Sequence, residues 1–191
     1  MPTVEEILHN MILFLFLPLW VLCGGMDYWC HRKTKIEENS GVKESLQHCL
    51  MGLQVGAPLF MVIYLEITVM VLLLCIVFFI WHEITAHRDL VYANDVRVIS
   101  ILEQHLHGYL ATIPFFLLSV VFAYNWPTFI DLIQFNWAGG MSLAFRQDPV
   151  GPDNYMKWYA SFMLIWAVIP YTEELIRCMR YAKKSEQTSH E

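Results

Sequence analysis

Apolar residues in this chain fall into long runs separated by a few short polar blocks. The first run, residues 7–26, has about the 20 residues that a helix needs to cross a bilayer. Glu5 and Glu6 precede it where a signal peptide would carry Lys or Arg, so it reads as a span. A polar block at 27–47 follows. Residues 48–81 are then apolar except for Gln54 and Glu66. One helix over that tract would be about 50 Å long. Two spans would need a tight turn near 64–68, where no Gly or Pro stands. A second polar block covers 82–107, and the next span covers 108–133. A loop at 134–154 holds Gly139, Gly140, Pro149, Gly151 and Pro152. Residues 155–171 form the last span, and the tail from Thr172 is polar and basic.

Charge decides between one long helix and a hairpin. With a hairpin, one side of the membrane receives Arg32, Lys33, Lys35, Lys43, Arg88, Arg97, Arg177, Arg180, Lys183 and Lys184. The other side receives Arg146 and Lys157. Ten against two is a strong positive-inside bias, and a single long helix would dilute it. The expected fold is therefore all-α: one polytopic membrane domain over residues 1–191 with five transmembrane helices. The N terminus lies outside, and both polar blocks and the C terminus lie in the cytoplasm. Glu66 falls near the outer turn.

Composition agrees. Hydrophobic residues make up 57 % of the chain and charged residues 16 %, against about 45–50 % and about 25 % in soluble domains. The net charge of −6 argues against a nucleic-acid partner. The five cysteines, Cys23, Cys30, Cys49, Cys75 and Cys178, show no paired spacing and read as small apolar side chains.

The candidate chemistry lies in the polar blocks. Four of the eight histidines there follow an acid by four residues: Asp27 and His31, Glu44 and His48, Glu83 and His87, Glu103 and His107. That spacing puts each oxygen and nitrogen on one helix face. The blocks also resemble each other, Asp27-Tyr-Trp-Cys-His31-Arg32 against Glu83-Ile-Thr-Ala-His87-Arg88. They read as a duplicated helical hairpin over residues 20–60 and 76–116, forming a cytoplasmic-side four-helix metal site at the interface of the repeats. Four carboxylates and four imidazoles are about the ligand set of a dinuclear centre, and His82 is a candidate ninth ligand. Imidazole with carboxylate suits iron, manganese or zinc.

Glu5 with His9 and Glu186 with His190 have the same spacing at the termini. Such pairs also serve as plain helix-surface contacts worth about 0.2–0.5 kcal/mol. That reading leaves unexplained why ionisable residues gather at membrane helix ends in two similar hairpins. Other polar residues have quieter readings. Arg32 and Arg88 are partners of ligand carboxylates or positive-inside anchors, His105 is an outer or surface residue, and Asp89 and Asp95 are loop or N-cap residues. Tyr28, Trp29 and Trp81 read as interface-belt aromatics or as shields of the site.

With His82-x-x-x-x-His87 and His105-x-His107 on paired membrane helices, the chain distantly resembles the integral-membrane non-haem di-iron oxidoreductases, the fatty-acid desaturase and hydroxylase group. The His-x-x-His-His box of that group is absent from this sequence. The carboxylate content is closer to that of ferritin-like di-iron bundles, with one residue more between acid and histidine. The resemblance implies two iron ions, with zinc or manganese as alternatives. It also implies O₂ activation, a lipid or other hydrophobic substrate arriving from the bilayer, and an external electron donor, since no GxGxxG fingerprint occurs. A zinc-dependent intramembrane hydrolase and a haem- or metal-binding membrane carrier are the other two readings.

Overall fold

A computed structural model describes residues 2–148 and 150–188. Among them the chain is helical throughout apart from turns and one long loop. Helices α1 (Val4–Met11) and α2 (Leu17–Thr34) join through a π-turn at Ile12–Phe16 into one rod. Three further rods follow, α3 (Gly41–Tyr64), α4 (Val69–Val96) and α5 (Ile101–Tyr124). The short α6 (Trp126–Ile133) leads into the loop at 134–154. The last rod joins α7 (Tyr155–Met163) to α8 (Ile169–Thr188) through a second π-turn at Leu164–Val168.

Four helices, Val4–Thr34, Gly41–Tyr64, Val69–Val96 and Ile101–Tyr124, are long and apolar enough to cross a membrane. The rod at 155–188 is less apolar and is not among them. Only 17–33 % of each apolar stretch is buried inside the protein. The outward surface is therefore mostly hydrocarbon, which suits lipid rather than water. Leu53, Phe60, Val77, Ile80, Phe115 and Phe116 all point outward.

The tract at 48–81 is a hairpin. Helix α3 ends at Tyr64 and α4 starts at Val69, with the two packed side by side. No Gly or Pro makes this turn, because its backbone is satisfied from elsewhere. Glu66 N–H donates to the Ala144 carbonyl at 2.9 Å and Arg146 N–H to the Tyr64 carbonyl at 3.0 Å. The Thr68 hydroxyl donates to the Ser142 carbonyl at 2.8 Å and accepts the Val71 N–H at 3.3 Å as the N-cap of α4. Glu66 is exposed at the turn.

Helix limits differ from the hydropathy limits at several points. The expected span at 108–133 stops at Tyr124, and α6 starts afresh with Pro127 in its first turn. At the other end of the bundle the helices run on past their apolar stretches. The 28-residue α4 is about 42 Å long against a hydrocarbon core of about 30 Å. Its excess, with the C-terminal turns of α2 and the N-terminal turns of α3 and α5, carries the two polar blocks. Asp89 and Asp95 thus lie within α4 rather than in a loop or at a helix start. Glu5 and His9 lie at the opposite end, where the Tyr124 hydroxyl donates to the Glu5 carbonyl. His190 lies outside the described residues.

A core of Leu13, Leu17, Trp20, Val21, Val55, Ile113, Tyr155 and Tyr159 binds the N-terminal rod to α3, α5 and α7. Near the polar end, Gly25 lets α2 approach the last rod. A Cβ there would stand 2.8 Å from the Trp166 ring and 3.0 Å from the Trp166 carbonyl oxygen. A Cβ at the adjacent Gly24 would meet nothing closer than 3.7 Å. Gly25→Ala is expected to destabilise the bundle by about 1–3 kcal/mol through overpacking. Gly24→Ala should be neutral or stabilising, since Ala is the better helix former. Thermal unfolding of the two variants in detergent checks the contrast.

Candidate metal centre

Each polar helix extension delivers side chains to one point. On α2, Asp27 and His31 lie one turn apart and both face inward. Glu44 and His48 do the same on α3, as do Glu103 and His107 on α5, with His107 slightly exposed. These six residues, paired by the i, i+4 rule, converge on a single buried cluster. The fourth expected pair does not. Glu83 and His87 are exposed and lie on the wall of an adjoining cavity. Helix α4 instead turns the face bearing His82, Thr85, Asp89 and Ala93 inward, because Ile80, Ile84 and Val91 share the outer side.

The centre of the cluster is a pair of stacked imidazoles. The rings of His31 and His48 lie 4.5 Å apart at 9° to each other. Glu174 of α8 sits behind both, with Oε2 3.0 Å from His31 Nδ1 and Oε1 3.2 Å from His48 Nδ1. One carboxylate thus holds two histidines by the same ring nitrogen, and both Nε2 atoms are turned to the opposite side. There His31 Nε2 faces Asp27 Oδ2 at 3.4 Å and Glu103 Oε1 at 3.3 Å. His48 Nε2 faces Asp89 Oδ2 at 3.3 Å and Glu44 Oε1 at 4.0 Å. His107 Nε2 stands 3.0 Å from Asp27 Oδ1, and the Tyr171 hydroxyl 3.2 Å from Asp27 Oδ2.

Arg97, in the turn between α4 and α5, closes the cluster. Its Nη2 bonds Glu44 Oε1 and Glu103 Oε1 together, and its Nε donates to Glu44 Oε2 at 3.1 Å. Burial works against its charge, and the two carboxylates outweigh burial and fix it as a guanidinium. Burial likewise opposes ionisation of Glu174, but the two histidines hold its carboxyl down at about 2.

The donor set fits a metal. One ligand atom from each of Asp27, His31, Glu103 and His107 lies within 4.8 Å of all the others, and the same holds for His31, Glu44 and His48. Asp89 Oδ1 and Glu103 Oε2 are buried with no hydrogen-bond partner among the described residues, and His31 Nε2, His48 Nε2 and Asp27 Oδ1 have only the ion-pair contacts just given. Buried polar atoms rarely stay unpaired. Holding Nδ1 to a carboxylate while Nε2 is presented is how metal-binding histidines are commonly oriented.

Glu174, Arg97, Asp89 and Tyr171 escaped the sequence reading. Asp89 had a signal, since His82, Thr85, Asp89 and Ala93 recur on one face at helical spacing. Glu174 and Arg97 had none beyond being charged residues next to apolar helices. Arg32 does not reach the cluster. It pairs with Glu173 at 2.6 Å on the surface, where Arg177, Glu173 and Glu37 form a separate network. His105 is exposed and bonds the Ile101 carbonyl at 2.8 Å.

Removing Glu174 leaves two buried Nδ1 atoms unpartnered, and removing Arg97 sets two buried carboxylates against each other. Glu174→Ala and Arg97→Leu are each expected to cost about 3–5 kcal/mol. Arg32→Ala, which breaks an exposed pair, should cost under about 1 kcal/mol. Thermal or denaturant unfolding of the three variants measures the difference.

No protein-family model, curated protein or solved structure matches this chain.

Proposed function

We propose that this protein is a membrane-embedded oxidoreductase with a dinuclear metal centre, holding two iron ions and acting on a lipid or other hydrophobic substrate. The observation that carries the reading is the charge of the buried cluster. Among the described residues, Asp27, Glu44, Asp89, Glu103 and Glu174 bring five carboxylates together, with Arg97 as the one permanent cation. With the histidines neutral, as metal ligands must be, four negative charges remain in a medium that tolerates none of them cheaply. Two divalent cations beside neutral histidines cancel that excess. The neighbouring surface network of Glu37, Glu173, Arg32 and Arg177 needs no such help, since it is already balanced.

In this reading His31, His107, Asp27 and Glu103 hold one ion, and His48, Asp89 and Glu44 the other. Glu174 fixes both central rings from behind. Arg97 keeps Glu44 and Glu103 together and ionised. Bound there, the two ions would supply the activation of O₂, chemistry that no side chain in the cluster can perform.

The substrate reading rests on the cavity of about 630 Å³ that opens beside the cluster. Asp27, His48, Asp89 and His107 line its polar end, and Trp20, Val21, Met51 and Leu110 its apolar walls. Glu83 and His87 stand on its exposed wall, placed to contact an arriving molecule rather than a metal. Apolar walls exclude water and favour a hydrocarbon substrate drawn from the bilayer. Electrons would come from an external donor. The topology proposed with this reading has five spans, residues 155–171 being the fifth, with the metal centre and C terminus in the cytoplasm by the charge bias of the loops.

The experiment is metal content and an absorption spectrum on protein purified in detergent without chelator. Two irons per chain and no Soret band are expected, with His31→Ala and His48→Ala each losing at least half of the metal. Zinc in place of iron would favour the hydrolase, and a Soret band the haem carrier. A folded protein that carries no metal would overturn the reading.

A further inference from the structure

Behind the large cavity, toward the middle of the bundle, lies a second pocket of about 90 Å³. Its walls are apolar, with Leu59, Phe79, Pro114 and Leu118 among them, except for Gln54 of α3 and His82 of α4. His82 lines both chambers and so stands at their junction. Neither residue belongs to the proposed metal clusters.

Both carry polar atoms with nothing to bond. Gln54 is fully buried and His82 is 4 % exposed. Gln54 Oε1 and both ring nitrogens of His82 have no hydrogen-bond partner among the described residues. The orientation of the Gln54 amide is fixed by its neighbour. The Thr85 hydroxyl gives its one hydrogen to the Trp81 carbonyl at 3.0 Å. It can therefore only accept from Gln54, whose Nε2 lies 2.9 Å away. The amide nitrogen is thus committed, and the oxygen is left facing an apolar pocket as a bare acceptor. A neutral His82 adds one donor and one acceptor.

Leaving such groups unpaired in an apolar pocket is costly, so the pocket is built for an occupant. The occupant must donate to Gln54 Oε1 and accept from the His82 N–H. A hydroxyl does both. A carbonyl can only accept and would leave the Gln54 oxygen unpaired. A carboxylate would add an uncompensated charge. The rest of the occupant must be aliphatic to match the remaining walls.

We propose that the junction of the two chambers binds the hydroxyl group of a long-chain aliphatic alcohol, with Gln54 and His82 as its two hydrogen-bond partners. The alkyl chain fills the apolar surfaces on either side. This deepens the reading of the large cavity as a substrate chamber. It implies that the substrate or product carries a hydroxyl on its chain.

The test is photolabelling in detergent micelles with two matched probes. One is a sixteen-carbon alcohol bearing a mid-chain diazirine (length chosen roughly for a bilayer leaflet), and the other is the hydrocarbon with the same diazirine. In the unaltered protein, label should appear in peptides containing Gln54 or His82. Half-saturation by the alcohol should come at about tenfold lower concentration than by the hydrocarbon, as expected for two modest hydrogen bonds. Gln54→Leu and His82→Phe should each reduce that selectivity, and the pair should abolish it. Gln54→Leu leaves the Thr85 bond to Trp81 intact, so it tests the pocket even if His82→Phe folds poorly. Equal labelling by the two probes, which is what a trapped water on Gln54 and His82 would give, overturns the proposal. Labelling needs no turnover, and metal is assayed on the same samples. Hydroxyl selectivity without metal would overturn the oxidoreductase reading while upholding the pocket.

Discussion

Five carboxylates packed around two stacked histidines at one end of an apolar bundle set the constraint on everything else. Ionised acids do not enter such a place unless something of opposite charge accompanies them. Arg97 answers for two of them by bonding Glu44 and Glu103 at once. Glu174 is bonded by the Nδ1 atoms of both imidazoles it holds. Asp27 reaches only His31, His107 and the Tyr171 hydroxyl, and Asp89 only His48, with no permanent cation beside either among the described residues. The proposed pair of divalent cations is the simplest charge that completes the cluster, and it would make the bundle's polar end dependent on metal.

The helices are arranged to meet that constraint. Each is longer than its apolar stretch, and the excess turns carry the acids and histidines. The tight approach of α2 to the last rod over Gly25 brings Glu174 against His31 and His48. The hairpin of α3 and α4 places Asp89 opposite His48. No single helix contains a site, and each supplies one wall of it.

The parts legible in the sequence were those fixed by local geometry. Asp27 with His31, Glu44 with His48 and Glu103 with His107 meet because residues four apart on a helix always share a face. The face that α4 buries could not be read from that rule. Glu83 with His87 and His82 with Asp89 both lie at helical spacings, and packing against α3 selects the second. The hairpin turn at 65–68 was legible only through loop charge, because its hydrogen bonds come from residues 140–146 far along the chain. Glu174 and Arg97 join the cluster through topology alone, which no spacing rule encodes. The end of α5 at Tyr124 was not legible, since Pro127 looks no different in sequence from Pro58 and Pro114, which lie inside helices.

The most direct measurement is X-ray absorption at the metal edge of the purified protein. The account predicts nitrogen and oxygen neighbours only, outer-sphere scattering from histidine, and a second metal at about 3.5–4 Å. A lone ion, or sulfur among the neighbours, would contradict a dinuclear centre built from these carboxylates and histidines.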